Sequence, residues 1–138
     1  MSEAKHLTLG VLGERLAADH LEKNGYKILD RNVRMSRNEI DIIAEDDSFI
    51  VFVEVKTRSV QHEGSSLYGS PARAVDSKKR SNTVAAAISY LRTHYTEKQP
   101  RIDVIEVYMK ERDEKSISPQ ILSINHIRNA FDAKGRKQ

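Results

Sequence analysis

A mixed β-sheet covered by helices, an α/β fold, is what this sequence predicts, and three observations predict it. The patterns run helix, three strands in succession, helix, then one or two strands. Turns of a few residues separate the first three strands, which makes them an antiparallel meander. The long helix between the third and fourth strands is a crossover of sufficient length to set those two parallel.

Each element has its own signal. Residues 8–24 read as an amphipathic helix, with Leu9, Leu12 and Leu16 at helical spacing and Gly25 as the stop. Residues 26–33 read as the first strand. Asn38 to Glu45 and Phe49 to Thr57 are rich in Ile and Val and are joined by the turn-prone Asp46-Asp47-Ser48. The third strand should be central, because Phe49, Val51, Val53 and Val55 alternate with Ile50 and Phe52 and make both of its faces apolar. A loop from Arg58 to Gly69 follows. A second helix begins where Ser70 can cap and Pro71 suits the first helical position, with Ser81, Val84, Ile88, Leu91 and Tyr95 as its apolar stripe. Arg101 to Met109 and Gln120 to Ile124 read as strands, residues 125–131 as a short turn or helix, and 132–138 as a basic tail.

The chain has 138 residues, enough for one domain with an ordered core over about 8–131 and a hydrophobic interior that needs no staples. Cysteine is absent, which excludes disulfides, thiolate zinc sites and a cysteine nucleophile. The longest run of large apolar residues, Phe49 to Val53, is far short of the ~20 residues of a membrane span. The N-terminus shows no apolar stretch of signal-peptide length, so the cytoplasm is the expected compartment and no membrane partner is expected. The net charge of +3 is unevenly spread: residues 27–37 carry +3 and residues 56–80 carry +4, leaving the rest net acidic.

Charged residues interrupt the apolar strands at two places, and the first helix supplies a third carboxylate in an odd position. Glu54 and Lys56 share a face with Ile50 and Phe52, because side chains alternate with period two. A carboxylate at the end of a buried face needs a cation, a metal or several donors beside it. Asp41 shares a face with Ile43, while Ile40, Ile42 and Ala44 fill the other. Pairing Ala44 with Phe49 across the turn puts Asp41 opposite Phe52 and diagonal to Glu54, roughly 7–8 Å away. Glu14 lies on one helical stripe with Gly10, Ala17 and Leu21, and the small residues Gly10, Gly13 and Ala17 would let that helix approach the sheet closely with Glu14 inward. Carboxylates and a lysine converging on a sheet end suit hydrolysis of a phosphodiester. Oxygen ligands suit Mg²⁺, or Mn²⁺, which takes one or two protein carboxylates, neutralises phosphate charge and acidifies a bound water. Lys56 is placed to orient that water.

Asp41 followed by Glu54-Val55-Lys56 resembles the signature of the PD-(D/E)xK nucleases. Gly13-Glu14, Gly25-Tyr26, Asn38 to Ala44, Val53 to Arg58, Ala74-Val75 with Lys79, Arg101 to Val104 and Asn129 to Phe131 together resemble the bacterial YraN-like family, from about Gly10 to Phe131. That family is assigned to the nuclease superfamily, with similarity to Holliday-junction resolvases. The resemblance implies a restriction-endonuclease-like core, with Asp41 and Glu54 as metal ligands, Lys56 as the catalytic lysine and Glu14 as an accessory ligand. It implies an endonuclease acting on nucleic acid, DNA before RNA and branched DNA among the substrates, and related resolvases make a homodimer a further expectation. Two positions depart from the pattern. Ile40 replaces the superfamily's proline before the first acid, and Asn38 stands where the family usually has glycine, although Asn tolerates the same left-handed turn.

Plainer readings stand beside these. Glu54 and Lys56 by themselves make an ordinary ion pair at a strand end, and Glu14 an ordinary solvated helix residue. Glu39 reads as exposed or as a neighbour of the site. Arg34 and Arg37, with Arg31, surround the first hairpin, while Arg58, Arg73, Lys78 and Lys79, with Arg80, bracket the loop and the start of the second helix. These are the candidate phosphate contacts, Lys79 foremost, and with no base-reading helix evident they point to backbone or shape recognition. Tyr68 and Tyr26 are the candidates for stacking on bases, too few for a dedicated single-strand binder. The five histidines show no paired ligand spacing; His20 reads as a core or edge residue, and Asp103 as a structural partner for Arg101 or another basic residue. A nucleic-acid-binding protein that does not cut and a protein-interaction scaffold are the two alternatives to the enzyme.

Overall fold

The computed structural model describes residues 8–60, 77–110 and 120–131. The elements are α1 (Leu9–Lys23), β1 (Lys27–Met35), β2 (Asn38–Glu45), β3 (Phe49–Val60), α2 (Ser77–Thr93), β4 (Gln99–Lys110) and β5 (Gln120–Ile127). They form an α/β fold with one five-stranded mixed sheet in the order β1-β2-β3-β4-β5. β1, β2 and β3 make the antiparallel meander, β3 and β4 are parallel, and β5 returns antiparallel to β4. The central, doubly apolar β3 and the crossover by α2 are thus as the pattern predicts. Arg58 to Val60, expected to open a loop, instead continue β3, because β4 pairs with that strand as far as Val60↔Lys110; the rest of the loop, Tyr68, Ser70, Pro71, Arg73 and the basic tail lie outside the described residues. No helix among the described residues is long and apolar enough to cross a membrane.

The sheet separates two cores. Ile50 and Phe52 of β3 pack with Val84, Ala86, Ala87 and Tyr90 of α2, while Val51 and Val53 pack with Ala17, Ala18 and Leu21 of α1. Thr8 caps α1, its side chain accepting from the Val11 N–H at 3.1 Å, and Gly25 ends the segment at φ +90°, a conformation glycine adopts without cost. Gly13 is what lets α1 come close, because a Cβ there would collide with the Thr57 side chain of β3. Gly10 is exposed and meets no such neighbour.

Several expectations are corrected. Of the expected stripe on α2, Val84 is buried and Leu91 packs on the same core, but Ile88 is 44% exposed, Ser81 is exposed, and Tyr95, beyond the helix end, is 86% exposed. The buried face is Thr83, Val84, Ala86, Ala87 and Tyr90, where the small Ala86 and Ala87 admit close packing and the Tyr90 ring meets Phe52 edge-on. Residues 125–127 continue β5, and Arg128 and Asn129 form a turn, so there is no helix there. In the first hairpin Ser36, at φ 62°, takes the left-handed position, and Asn38 is the first strand residue, paired with Met35.

The second hairpin is tighter than expected. The Asp46 N–H donates to the Phe49 carbonyl at 3.0 Å, and its Oδ1 accepts from the N–H groups of Ser48 and Phe49 at 2.9 and 2.7 Å. That reduces the loop to Asp47-Ser48 and pairs Glu45 with Ile50 and Ala44 with Val51, where Ala44 with Phe49 was expected. A slip of two leaves every side chain on its face, but it brings Asp41 level with Glu54 rather than with Phe52.

Candidate functional site

The β2–β3 ladder runs from Glu45↔Ile50 to Ile42↔Val53 and stops. At the next position the strands fork, and a side chain takes over from the backbone: Asp41 Oδ2 accepts the Val55 N–H at 2.8 Å. On the other flank, the β1–β2 register puts Asn32 level with Asp41, and Asn32 has left-handed backbone at φ 51°. Alternation breaks at this point. Ile40 and Val33 pack on the α2 side, whereas Ile42 packs on the α1 side, so the expected grouping of Ile40 with Ile42 and Ala44 does not hold. Asn is among the non-glycine residues that take the left-handed region most readily, so position 32 bears this kink at little cost.

Glu54 sits across the fork, 4% exposed. Its Oε2 faces two ammonium groups, Lys56 Nζ at 3.7 Å and Lys79 Nζ at 3.4 Å. Both are loose ion pairs, beyond the 2.7–2.9 Å of a good charge-assisted bond. Burial pushes the Glu54 carboxyl above the usual carboxylate range and the charge of Asp41 adds to it, with Lys79 and Lys56 pulling back. Burial likewise raises Asp41, against the Val55 N–H bond and Lys79. Glu14, half-buried on α1, is raised by burial, then by Asp41 and Glu39, while Arg31 and a hydrogen bond from Asn32 oppose the shift. Glu14, half-buried, therefore does turn toward Asp41 and Glu39, while Asp41 feels the charge of Lys79 on α2. Glu39 is exposed and acts on the site only through its charge.

Among the described residues no three Asp, Glu or His side chains converge closely enough to cage a metal ion by themselves. Glu14 is thus coupled by charge to Asp41 rather than gathered with Asp41 and Glu54 into one cage. Asp41 and Glu54 nevertheless fit a hard divalent cation. They are oxygen donors, both disfavoured in their charged form where they stand, and Mg²⁺ needs only one or two protein carboxylates besides water.

The basic candidates separate. Lys79 is drawn onto Glu54, Arg58 is half-buried on β3 beside Tyr108 of β4, and Lys78 is exposed on the first turn of α2. Arg34 and Arg37 are exposed at the β1–β2 hairpin, one hairpin away from the fork. Tyr26 is buried, with its hydroxyl accepting from Arg101 at 2.6 Å, so it does not stack on a base.

Residues 13–107, which contain the whole fork, match the model of the Uncharacterised protein family UPF0102. This chain belongs to the UPF0102 family. It is 41% identical to a UPF0102 protein of Caldanaerobacter subterraneus over 95% of this chain and all of that protein. It is 39% identical to one of Chlorobium phaeobacteroides over 96% of this chain and 99% of the other. With one of Chlorobium chlorochromatii the identity is 44% over 89% and 90%.

This UPF0102 chain also contains a polar cluster that the sequence reading missed. Asp103 of β4 is fully buried on the α1 side and accepts from Arg101 Nε and Nη2 at 2.9 and 2.8 Å and from the Asn129 N–H at 2.9 Å. His126 Nε2 is 2.7 Å from Asp103 Oδ2, and His126 Nδ1 is 3.2 Å from His20 Nε2. The carboxylate makes Nε2 of His126 the donor, so its Nδ1, when neutral, accepts from His20. The Arg101–Asp103 partnership was legible as an i, i+2 pair on one strand face. The two histidines, from α1 and β5, left no local pattern to read.

Proposed function

We propose that this protein is a metal-dependent endonuclease with a restriction-endonuclease-like core, one of the PD-(D/E)xK group, hydrolysing nucleic-acid phosphodiester bonds, DNA before RNA. The observation that carries this reading is the strand fork, where half-buried Asp41 and buried Glu54 come together just past the end of the β2–β3 ladder, Glu54 with only loose cationic partners among the described residues. A Mg²⁺ or Mn²⁺ ion held there would neutralise phosphate charge and acidify a coordinated water. Asp41, fixed by the Val55 N–H, and Glu54, fixed by its strand, are the residues that would hold it. In the reaction a water oxygen adds to phosphorus and the bond to one ester oxygen breaks, giving a phosphate monoester and a hydroxyl. Lys56 extends from the same strand face as Glu54, where its ammonium orients the attacking water and donates to the phosphate oxygen that gains charge. Lys78, Arg58, Arg34 and Arg37 supply the diffuse positive surface that a phosphate backbone requires, in a cytoplasmic protein.

The test is incubation of the full chain with supercoiled, branched and single-stranded DNA plus Mg²⁺ or Mn²⁺. Cleavage is expected, and Lys56→Ala should lower it at least about 100-fold while retaining DNA binding. No cleavage of any substrate, together with no heat of metal binding, sinks the reading. One observation favours a binding protein that does not cut: two lysines already neutralise Glu54 without a metal. That reading predicts salt-dependent DNA binding that survives Asp41→Ala and needs no metal.

A further inference from the structure

The two lysines on Glu54 are not equivalent. Lys56 comes from the same strand two residues on, and its side chain is 24% exposed. Lys79 reaches the same carboxylate oxygen from α2, is the closer of the two at 3.4 Å, and is 40% exposed. The helix under it is fixed: the Thr83 hydroxyl donates to the Lys79 carbonyl at 3.0 Å, and Val84, Ala86, Ala87 and Tyr90 lock α2 onto Phe52 and Ile43. The ammonium, on a four-carbon stem open to solvent, can therefore move without moving the helix. Lys79 stands where a divalent cation on Glu54 would repel it, with 40% of its side chain open to solvent.

We propose that Lys79 is an exchangeable counter-ion: it neutralises Glu54 while the acids hold no divalent cation, and hands its ammonium to a nucleic-acid phosphate when one takes its place. The inference rests on the endonuclease reading above. Its consequence is coupling. Metal alone must break the Lys79–Glu54 ion pair without replacing it, whereas metal arriving with a phosphate offers that ammonium a new anion. Each then tightens the other by the same factor. Lys79 is a positioning residue in this scheme, and it keeps the metal-free site from carrying uncompensated buried charge.

The experiment is calorimetric titration of Mn²⁺ into the full chain, alone and with a phosphorothioate DNA duplex that resists cleavage. In the wild type the duplex is expected to tighten Mn²⁺ binding about tenfold or more, within the usual range of such couplings. Lys79→Met should bind Mn²⁺ alone several-fold more tightly than wild type and lose most of the tightening by DNA. Lys79→Gln reads the same quantity if the methionine variant does not fold, and Lys79→Arg, which keeps the charge, should stay close to wild type. Unchanged or weaker Mn²⁺ binding in Lys79→Met, with the DNA effect intact, overturns the exchange while leaving the metal site standing. No Mn²⁺ binding by any variant overturns the endonuclease reading itself.

Discussion

Glu54 and Asp103 sit on neighbouring central strands, both out of water at 4% and 0% exposure, and the fold treats them in opposite ways. Asp103 faces α1 and receives two bonds from Arg101, one from His126 and one from the Asn129 N–H, all at 2.7–2.9 Å. Burial works against its charge, but those bonds outweigh it and hold the carboxyl below the usual range. Glu54 faces α2 with nothing nearer among its ion partners than 3.4 Å, and burial pushes it the other way. A saturated carboxylate has no valence left for a ligand, and its work is to tie Tyr26, β4, β5 and the turn after it together. A buried carboxylate with loose partners retains room to coordinate. Burial alone does not distinguish a staple from a site; the completeness of the partner set does.

The largest effect should come from breaking the saturated side. Asp103→Ala leaves the Arg101 guanidinium, the His126 ring and the Asn129 N–H without their acceptor in a dry interior, which costs about 3–5 kcal/mol. Urea denaturation at neutral pH measures it. A loss under about 1 kcal/mol would mean that the network is replaceable by water and that the contrast with Glu54 is false. The depressed pKa sets the sign in acid. The stabilisation is complete above the unfolded value, about 3.9, and is lost as pH falls below it through the folded value.

The next test concerns how Glu14 is brought up to the fork. Gly13→Ala should gain about 0.5–1 kcal/mol of helix preference and lose about 1–3 to the collision with Thr57, for a net loss near 1–2 kcal/mol. Thr57→Ala in the same chain removes the hydroxyl and methyl that obstruct it and should recover part of the loss. A Gly13→Ala variant as stable as wild type would show that α1 can back away from β3, and with it Glu14 from Asp41.

Much of this was readable in the sequence, for reasons that differ by residue. β2 runs Asn38–Glu45 as its Ile-rich alternation indicates, and Asp41 and Glu54 stood out as acids in phase with apolar neighbours. Their mutual register depended on which atoms of Asp46 close the turn, a local hydrogen-bond choice that alternation does not encode. The buried face of α2 was misjudged because size was taken for burial. The helix packs close through Ala86 and Ala87, and its larger Ile88 is left at the rim. The left-handed Asn32, level with Asp41, carries no hairpin signal, since it lies inside β1. His20 and His126 meet only after the whole sheet has formed.

The smallest effects separate the two sides by the sign of their pH dependence. Glu54 is raised in the fold, chiefly by burial, so below its folded pKa the native state binds more protons than the unfolded chain. Its contribution to stability is then best in acid and declines as pH rises through that raised value. His20 is lowered by burial first, then by His126 and Arg128, so the unfolded chain binds more protons. Its contribution is complete above the unfolded value, about 6.5, and falls away as pH drops below it. Against wild type, Glu54→Gln should gain relative stability as pH rises from 4 to 7, and His20→Gln should lose it over the same range. Each change should stay within about 1 kcal/mol. Denaturation midpoints at four or five pH values decide the matter. A Glu54→Gln difference that does not vary with pH would place Glu54 beside Asp103 as a satisfied structural acid, and remove the physical reason for a cation at the fork.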